Sequence, residues 1–167
     1  STWGTYTQAI EACEKYGCTI VHYPSDGAYD YHIRPQSKWQ RNPIAKLIKA
    51  WGIRKHATDK IIPEWVFQLP NTQIALFLRW FFECDGWVSN STSIEVGTSL
   101  ASQVMVQQLG HLALRLGVPG TYRFKANGKA GAWTWSTSHV DLWQEKIGLV
   151  EKAEQLARAV DAINTQR

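Results

Sequence analysis

The stretch from Ile74 to Phe82 constrains the fold most, because it is apolar on nearly every side of a helix and carries one charge, Arg79, in its middle. A bilayer span needs about 20 uncharged apolar residues, so this segment is too short to cross a membrane. It is expected to be a buried helix, capped by Asn71 and running toward Asp85-Gly86. Such a helix needs other elements around it. A chain of 167 residues, 44% hydrophobic and 12% aromatic with nine Trp, has the apolar surface to provide them, and this composition excludes a disordered chain. Nothing has the layout of a signal peptide. Cys13, Cys18 and Cys84 are an odd number without a C-x-x-C pair, which indicates neither a disulfide framework nor a zinc module. Reduced, buried thiols and a cytoplasmic location are expected. The start at Ser1, without Met, fits a processed or excised fragment of something longer.

The remaining elements follow from local signals. Ala9, Ile10, Cys13 and Tyr16 have helical spacing and are stopped by Gly17. Cys18 to Tyr23 and Ala28 to Arg34 form a hairpin around Asp26-Gly27. Asn42-Pro43 supplies an N-cap and a first-turn proline for a helix carrying Ile44, Leu47, Ile48 and Trp51, ended by Gly52. After the buried helix, Trp87 to Ser89 and Ser93 to Thr98 alternate like strands, and Ser99 is expected to cap a long helix stopped by Gly117. Thr121 to Ala126 and Ala132 to Thr137 form a hairpin around Asn127-Gly128. The tail from Val140 is helical, with a break at Gly148.

The order helix, hairpin, helix at the front recurs about 100 residues later, so that Gly17 matches Gly117 and Gly52 matches Gly148. Only the second copy has the buried helix and the strand pair after it. The expected organisation is therefore a partial first repeat over residues 1–60 and a complete second repeat with C-terminal helices over 61–167.

Net charge is +4, and its distribution matters more than its size. Between Arg34 and Lys60 the cations Arg34, Lys38, Arg41, Lys46, Lys49, Arg54, Lys55 and Lys60 face one acid, Asp59. Interleaved with Trp39 and Trp51, they point to a phosphate-contacting surface, with Lys38, Arg41 and Lys55 among the contacts.

The ordered set Asp59-Lys60-Ile61-Ile62-Pro63, then Leu78 to Gly86, then Val96 to Ala101 and Leu109 to Val118, resembles the LAGLIDADG homing endonucleases, most closely the endonuclease domains of replicative-helicase inteins. The resemblance implies an α/β fold with αββαββα repeats and saddle-shaped antiparallel sheets. It also implies site-specific double-strand cleavage of DNA at a long recognition site, with Mg²⁺ or Mn²⁺ as cofactor. By resemblance Asp85 is the metal-binding carboxylate, with the Gly86 carbonyl beside it. This agrees with the preference of hard cations for oxygen ligands and with their use in hydrolysing phosphodiesters. Glu83 takes a structural or solvating place.

Lysines near the active centre of this family come from the second hairpin, where Lys125 and Lys129 lie. Lys125 is preferred, because alternation puts it with Arg123 on one strand face and Tyr122 and Phe124 on the other. Alternation also selects Asp30, His32, Arg34, Ser93, Glu95, Arg123, Lys125, Thr134 and Ser136 as DNA-facing, with Lys129 at the hairpin tip. A phase error of one residue turns all of the strand positions inward. Tyr29, Tyr31, Trp133 and Trp135 are read as sheet packing, and His22, His56, His111 and His139 as structural.

Two departures bear on activity. Trp80 stands where the family packs a small residue between motif helices, and the first repeat's motif helix and acid are absent from the sequence. A second chain or homodimer partner is therefore expected to supply them. There is no terminal His-Asn, and splicing is not expected. The rival readings are a non-cleaving DNA-binding relative and a protein-interaction remnant that assembles through the apolar helix.

Overall fold

The computed structural model describes residues 3–25, 28–127 and 130–166, which fall into two compact units, Ser1–Arg54 and Lys55–Arg167. The first contains α1 (Trp3–Lys15), an antiparallel hairpin of β1 (Cys18–Ser25) and β2 (Ala28–Pro35), and α2 (Pro43–Ala50). Asn42 caps α2 as its sequence suggests: its Oδ1 accepts from the Ala45 amide at 3.1 Å, with Pro43 in the first turn. On the hairpin, Tyr31 packs against Tyr6 of α1, with ring centroids 5.0 Å apart. His32 and Arg34 alternate with Tyr31 and so lie on the opposite face.

The second unit opens with a 3-10 turn (Ala57–Asp59) and a short helix, α3 (Glu64–Phe67). Then come α4 (Asn71–Asp85), β3 (Gly86–Asn90), β4 (Ile94–Leu100), α5 (Gln103–Arg115), β5 (Thr121–Asn127), β6 (Ala130–Thr137), α6 (Val140–Lys146) and α7 (Ala153–Gln166). From α4 to α6 this is the expected αββαββα order. The four strands form one antiparallel sheet, β3-β4-β6-β5. Among the described residues no helix is long and apolar enough to cross a membrane.

The core lies between one sheet face and the helices. Ile74, Leu78 and Phe82 of α4, Val106, Leu109 and Leu112 of α5, Val96 and Trp135 of the sheet, and Trp143 of α6 are all buried. Phe82, Trp135 and Trp143 make an aromatic cluster at its centre, with centroid separations of 4.4 to 5.8 Å. Trp135 fits only because Gly110 and Gly120 leave room for its ring: a Cβ on either would collide with the indole. Gly110→Ala should therefore destabilise the protein by about 1–3 kcal/mol through overpacking, measured as a lower denaturant midpoint with an unchanged slope.

Three local expectations are corrected. Pro70, not Asn71, occupies the N-cap position of α4, and Asn71 is its first helical residue. Ser99 belongs to β4, which extends to Leu100 because it pairs with Trp133 and Thr134 of β6. The α5 cap is Ser102, whose Oγ accepts from the Met105 amide at 3.1 Å. Cys84, expected to be buried, is exposed on the last turn of α4, whereas Cys13 and Cys18 are buried.

The glycines that align between the two copies have matching backbones. Gly17 and Gly117 have φ of 64° and 84°, and Gly52 and Gly148 have 64° and 67°. Among the described residues these are the positive-φ positions, each just past a helix, where a side chain is penalised.

Candidate functional site

Asp85 is the last residue of α4, and its side chain is exposed. A carboxylate there faces the negative end of the helix dipole, so the position costs stability. Gly86 follows at once and begins β3. Its amide donates to the Phe82 carbonyl, and a Cβ at 86 would lie 2.7 Å from both that carbonyl oxygen and the Phe82 ring. The tight passage from helix to strand explains why glycine follows the acid. The Asp85 carbonyl accepts from Thr98 Oγ1 of β4 at 2.8 Å, which ties the junction to the sheet.

A second set of contacts fixes the same turn from the other side. Lys152 Nζ donates to the carbonyls of Phe82 at 2.8 Å, Glu83 at 2.6 Å and Gly86 at 2.7 Å. A positive charge at a helix C-terminus is favourable, and here it offsets the cost of Asp85. Burial lowers the Lys152 pKa, while Glu83, Cys84, Asp85 and Glu151 pull it the other way. Glu83, only 8% exposed, accepts from the Val150 amide and from the Glu151 amide at 3.1 Å. Arg79 Nε donates to the Ile147 carbonyl at 2.8 Å. The α4 terminus and the α6–α7 connection thus hold each other, and Glu83 has a structural role.

The outer sheet face lies opposite the aromatic core. Register places Ser89 with Glu95, Gly97 with Ser136 and Thr121, and Ser99 with Thr134 and Arg123 on this face, with Lys125 beside Ala132. Arg123 and Lys125 are exposed here, as alternation requires. A shallow hollow of about 220 Å³ brings together Glu95, Thr121, Arg123, Ser136 and His139.

Thr134 and Ser136 are on the expected face but only 5% and 3% exposed. They lie on an inner strand, Thr134 shares a 2.7 Å hydrogen bond with Ser99 Oγ, and the Trp87 ring approaches Ser136 where Gly97 lacks a side chain. Their expected role as base-reading groups is corrected to support of this surface. Ser93 lies in the β3–β4 turn, not in a strand, and its Oγ donates to Glu95 at 3.2 Å.

In the first unit, His32 and Arg34 are exposed. The Arg34 guanidinium lies 5.1 Å from the Tyr23 ring centroid, and His32 meets that ring edge-on at 4.9 Å. Lys38 and Arg41 are exposed on the β2–α2 connection, and Lys55 is exposed at the start of the second unit. Of Asp30 only the backbone is described, and Lys129 lies outside the described residues.

The sheet order does not bring Lys125 to Asp85. Gly86 is on edge strand β3 and Lys125 on the opposite edge, three strand spacings away, or about 14 Å. The lysine at the acid is Lys152, which sequence reasoning missed because its contacts cross 66 to 70 residues.

Asp85 and the Gly86 carbonyl are hard oxygen donors of the kind Mg²⁺ or Mn²⁺ takes, so the chemistry of the donor set fits such an ion. Among the described residues no three His, Cys, Asp or Glu side chains cluster as a metal site. An ion here would depend on further oxygens, as Mg²⁺ does when it shares substrate phosphates.

The LAGLIDADG-like domain family matches residues 72–157, just over half of the chain. Among curated proteins, Protein RecA of Mycobacterium tuberculosis is 36% identical over 89 residues, 50% of this chain and 11% of that protein. Glutamine–fructose-6-phosphate aminotransferase of Methanocaldococcus jannaschii is 27% identical over 157 residues, covering 83% of this chain and 13% of its own length. Replicative DNA helicase DnaB of Synechocystis is 28% identical over 138 residues, 75% of this chain and 15% of the helicase. The chain thus spans between 11% and 15% of the length of these relatives.

Proposed function

Since the chain belongs to the LAGLIDADG family of homing-endonuclease-type, DNA-binding domains, we propose that it is a site-specific, metal-dependent DNA endonuclease with Asp85 at its reaction centre. One observation carries this reading: an exposed acid is held at the unfavourable end of a buried helix by Lys152, Glu83, Arg79 and Thr98. Proteins break local stability rules of this kind at functional sites. Asp85 and the Gly86 carbonyl would hold Mg²⁺ or Mn²⁺, which supplies activation of water and neutralises charge on the phosphate. Arg123 and Lys125 contact the DNA backbone, Glu95 and Ser93 lie at the base-reading end of the sheet, and Lys38, Arg41 and Lys55 add phosphate contacts. His32 and Arg34, exposed on the hairpin of the first unit, are DNA-facing positions of that unit. The first unit is a partial repeat, a reading supported by its matching positive-φ glycines.

Cutting both strands needs a second acid. Leu76, which is 48% exposed, Trp80 and the exposed Cys84 lie along one stripe of α4 at i, i+4 and i+8. A motif helix from a second chain or a second copy docks there, with its surface shaped to Trp80. The segment's relatives have unlike names and carry it as a small fraction of their length. That distribution supports an origin as a mobile, intein-associated insert.

A non-cleaving DNA binder is the second reading, favoured by the Lys152 ammonium on the Gly86 carbonyl, since an ion at that oxygen meets a like charge nearby. Duplex-binding measurements across a salt series, followed by Mg²⁺ or EDTA, test both. Neutralising several phosphates makes affinity fall steeply with salt, by about a factor of 10³ or more between 50 and 200 mM for six or more contacts. Strand breaks with Mg²⁺ alone support the endonuclease. Steep binding with intact DNA supports the second reading, and salt-insensitive or absent binding overturns both.

A further inference from the structure

Trp39 is 99% exposed, the most open large hydrophobic side chain among those described. An indole presents on the order of 150–250 Å² that burial would normally remove from water. Its position is fixed by a braced connection. The Gln36 amide donates to the Gly17 carbonyl at 2.9 Å, and the Gln40 amide donates to the Ser37 carbonyl at 3.2 Å, closing a tight turn with Trp39 inside it. The Trp39 amide donates to Ser37 Oγ at 3.4 Å. At the far end, Asn42 caps α2 through Oδ1 while its Nδ2 donates to the Ile33 carbonyl at 2.7 Å. The indole is thus held out by a turn anchored to both the hairpin and the helix.

The surroundings favour a polyanion. Lys38 and Arg41 flank Trp39 within the same connection, Arg34 precedes it, Lys46 and Lys49 follow on α2, and residues 34–50 contain no acid. Cations that hold phosphates, with an aromatic plane projecting between them, are the arrangement by which proteins track a backbone and stack on a base.

We propose that Trp39 is a nucleobase-stacking residue that enters the base stack of bound duplex DNA while Lys38 and Arg41 hold the adjoining phosphates. The inference rests on the DNA-binding reading above and adds a site of base contact away from the sheet. A side chain wedged between base steps unstacks them and bends the duplex, so it favours flexible pyrimidine–purine steps. Trp39 thereby adds sequence preference through deformability, without reading a base edge.

The test uses the whole chain and a duplex selected by binding from a random-sequence pool, with 2-aminopurine placed in turn at each position. Wild type is expected to bind with a steep salt dependence and to change 2-aminopurine fluorescence at one step. Trp39→Ala should bind about ten- to a hundredfold more weakly, lose that signal and keep the same salt slope, because no charge is removed. Trp39→Phe should recover most of the affinity. Lys38→Ala, by contrast, should reduce the slope by about one. An unchanged thermal midpoint would show that each variant folds. Equal affinity and equal fluorescence for wild type and Trp39→Ala would overturn the inference while leaving DNA binding in place. Failure of wild type to bind any duplex would overturn the DNA reading itself. Trp39-dependent binding to phosphatidylserine vesicles, with duplex binding independent of Trp39, would assign the indole to a membrane surface and overturn the inference.

Discussion

Asp85→Asn should reduce strand cleavage by about a thousandfold or more while leaving duplex affinity within about twofold of wild type. The substitution keeps size and hydrogen-bonding capacity but removes the charge a divalent cation would need. Because Asp85 is exposed at the end of α4 and its backbone carbonyl makes the contact to Thr98, the variant keeps that tie to the sheet. Stability should be about unchanged, since neutralising residue 85 removes both an unfavourable dipole interaction and the attraction between Asp85 and the Lys152 ammonium. Cleavage rates with matched binding isotherms check the first part, and denaturant midpoints check the second. Weaker DNA binding in step with the lost cleavage would make Asp85 a DNA contact instead.

Lys152→Met should destabilise the second unit by about 2–3 kcal/mol, because one ammonium satisfies three carbonyls at the α4 terminus and charged hydrogen bonds contribute more than neutral ones. For a domain of this size the thermal midpoint should fall by on the order of 10 °C. Lys152→Arg should not restore it, because a planar guanidinium cannot point three donors into a compact cradle. At temperatures where the variant is folded, cleavage should still be about 10- to 100-fold slower, since the turn that orients Asp85 has lost its brace. Glu83→Gln keeps an acceptor for the Val150 and Glu151 amides and should cost about 1 kcal/mol. The double variant should lose less than the sum, because both groups hold the same connection.

What the sequence made legible was local. Asn42-Pro43 specified the start of α2, Gly17 and Gly117 marked helix ends, and strand alternation put Arg123 and Lys125 on the outer face. The apolar helix announced itself by its composition, but the structure buries only the face carrying Ile74, Leu78 and Phe82 and leaves Leu76 and Cys84 exposed. Where tertiary pairing decided, local signals failed. Ser99 and Ser102 are both plausible caps, and only the pairing of β4 with β6 assigns the first to a strand. The phase of β6 was readable from Trp135, but the burial of Thr134 and Ser136 depended on Ser99 and on Trp87, which lies beside Gly97. The family pattern drew attention to lysines in the β5–β6 hairpin, whereas the lysine that meets the Asp85 turn comes from the connection before α7. No local pattern could have found it.

The most direct test maps strand breaks. Wild type and Asp85→Asn are each incubated, with Mg²⁺ or with EDTA, with a plasmid library of randomised inserts, and every DNA end is sequenced. The proposed function predicts breaks confined to one long site, present for wild type with Mg²⁺ and absent for Asp85→Asn and in EDTA. Bound but intact DNA in all four reactions, or breaks that survive Asp85→Asn, would contradict it.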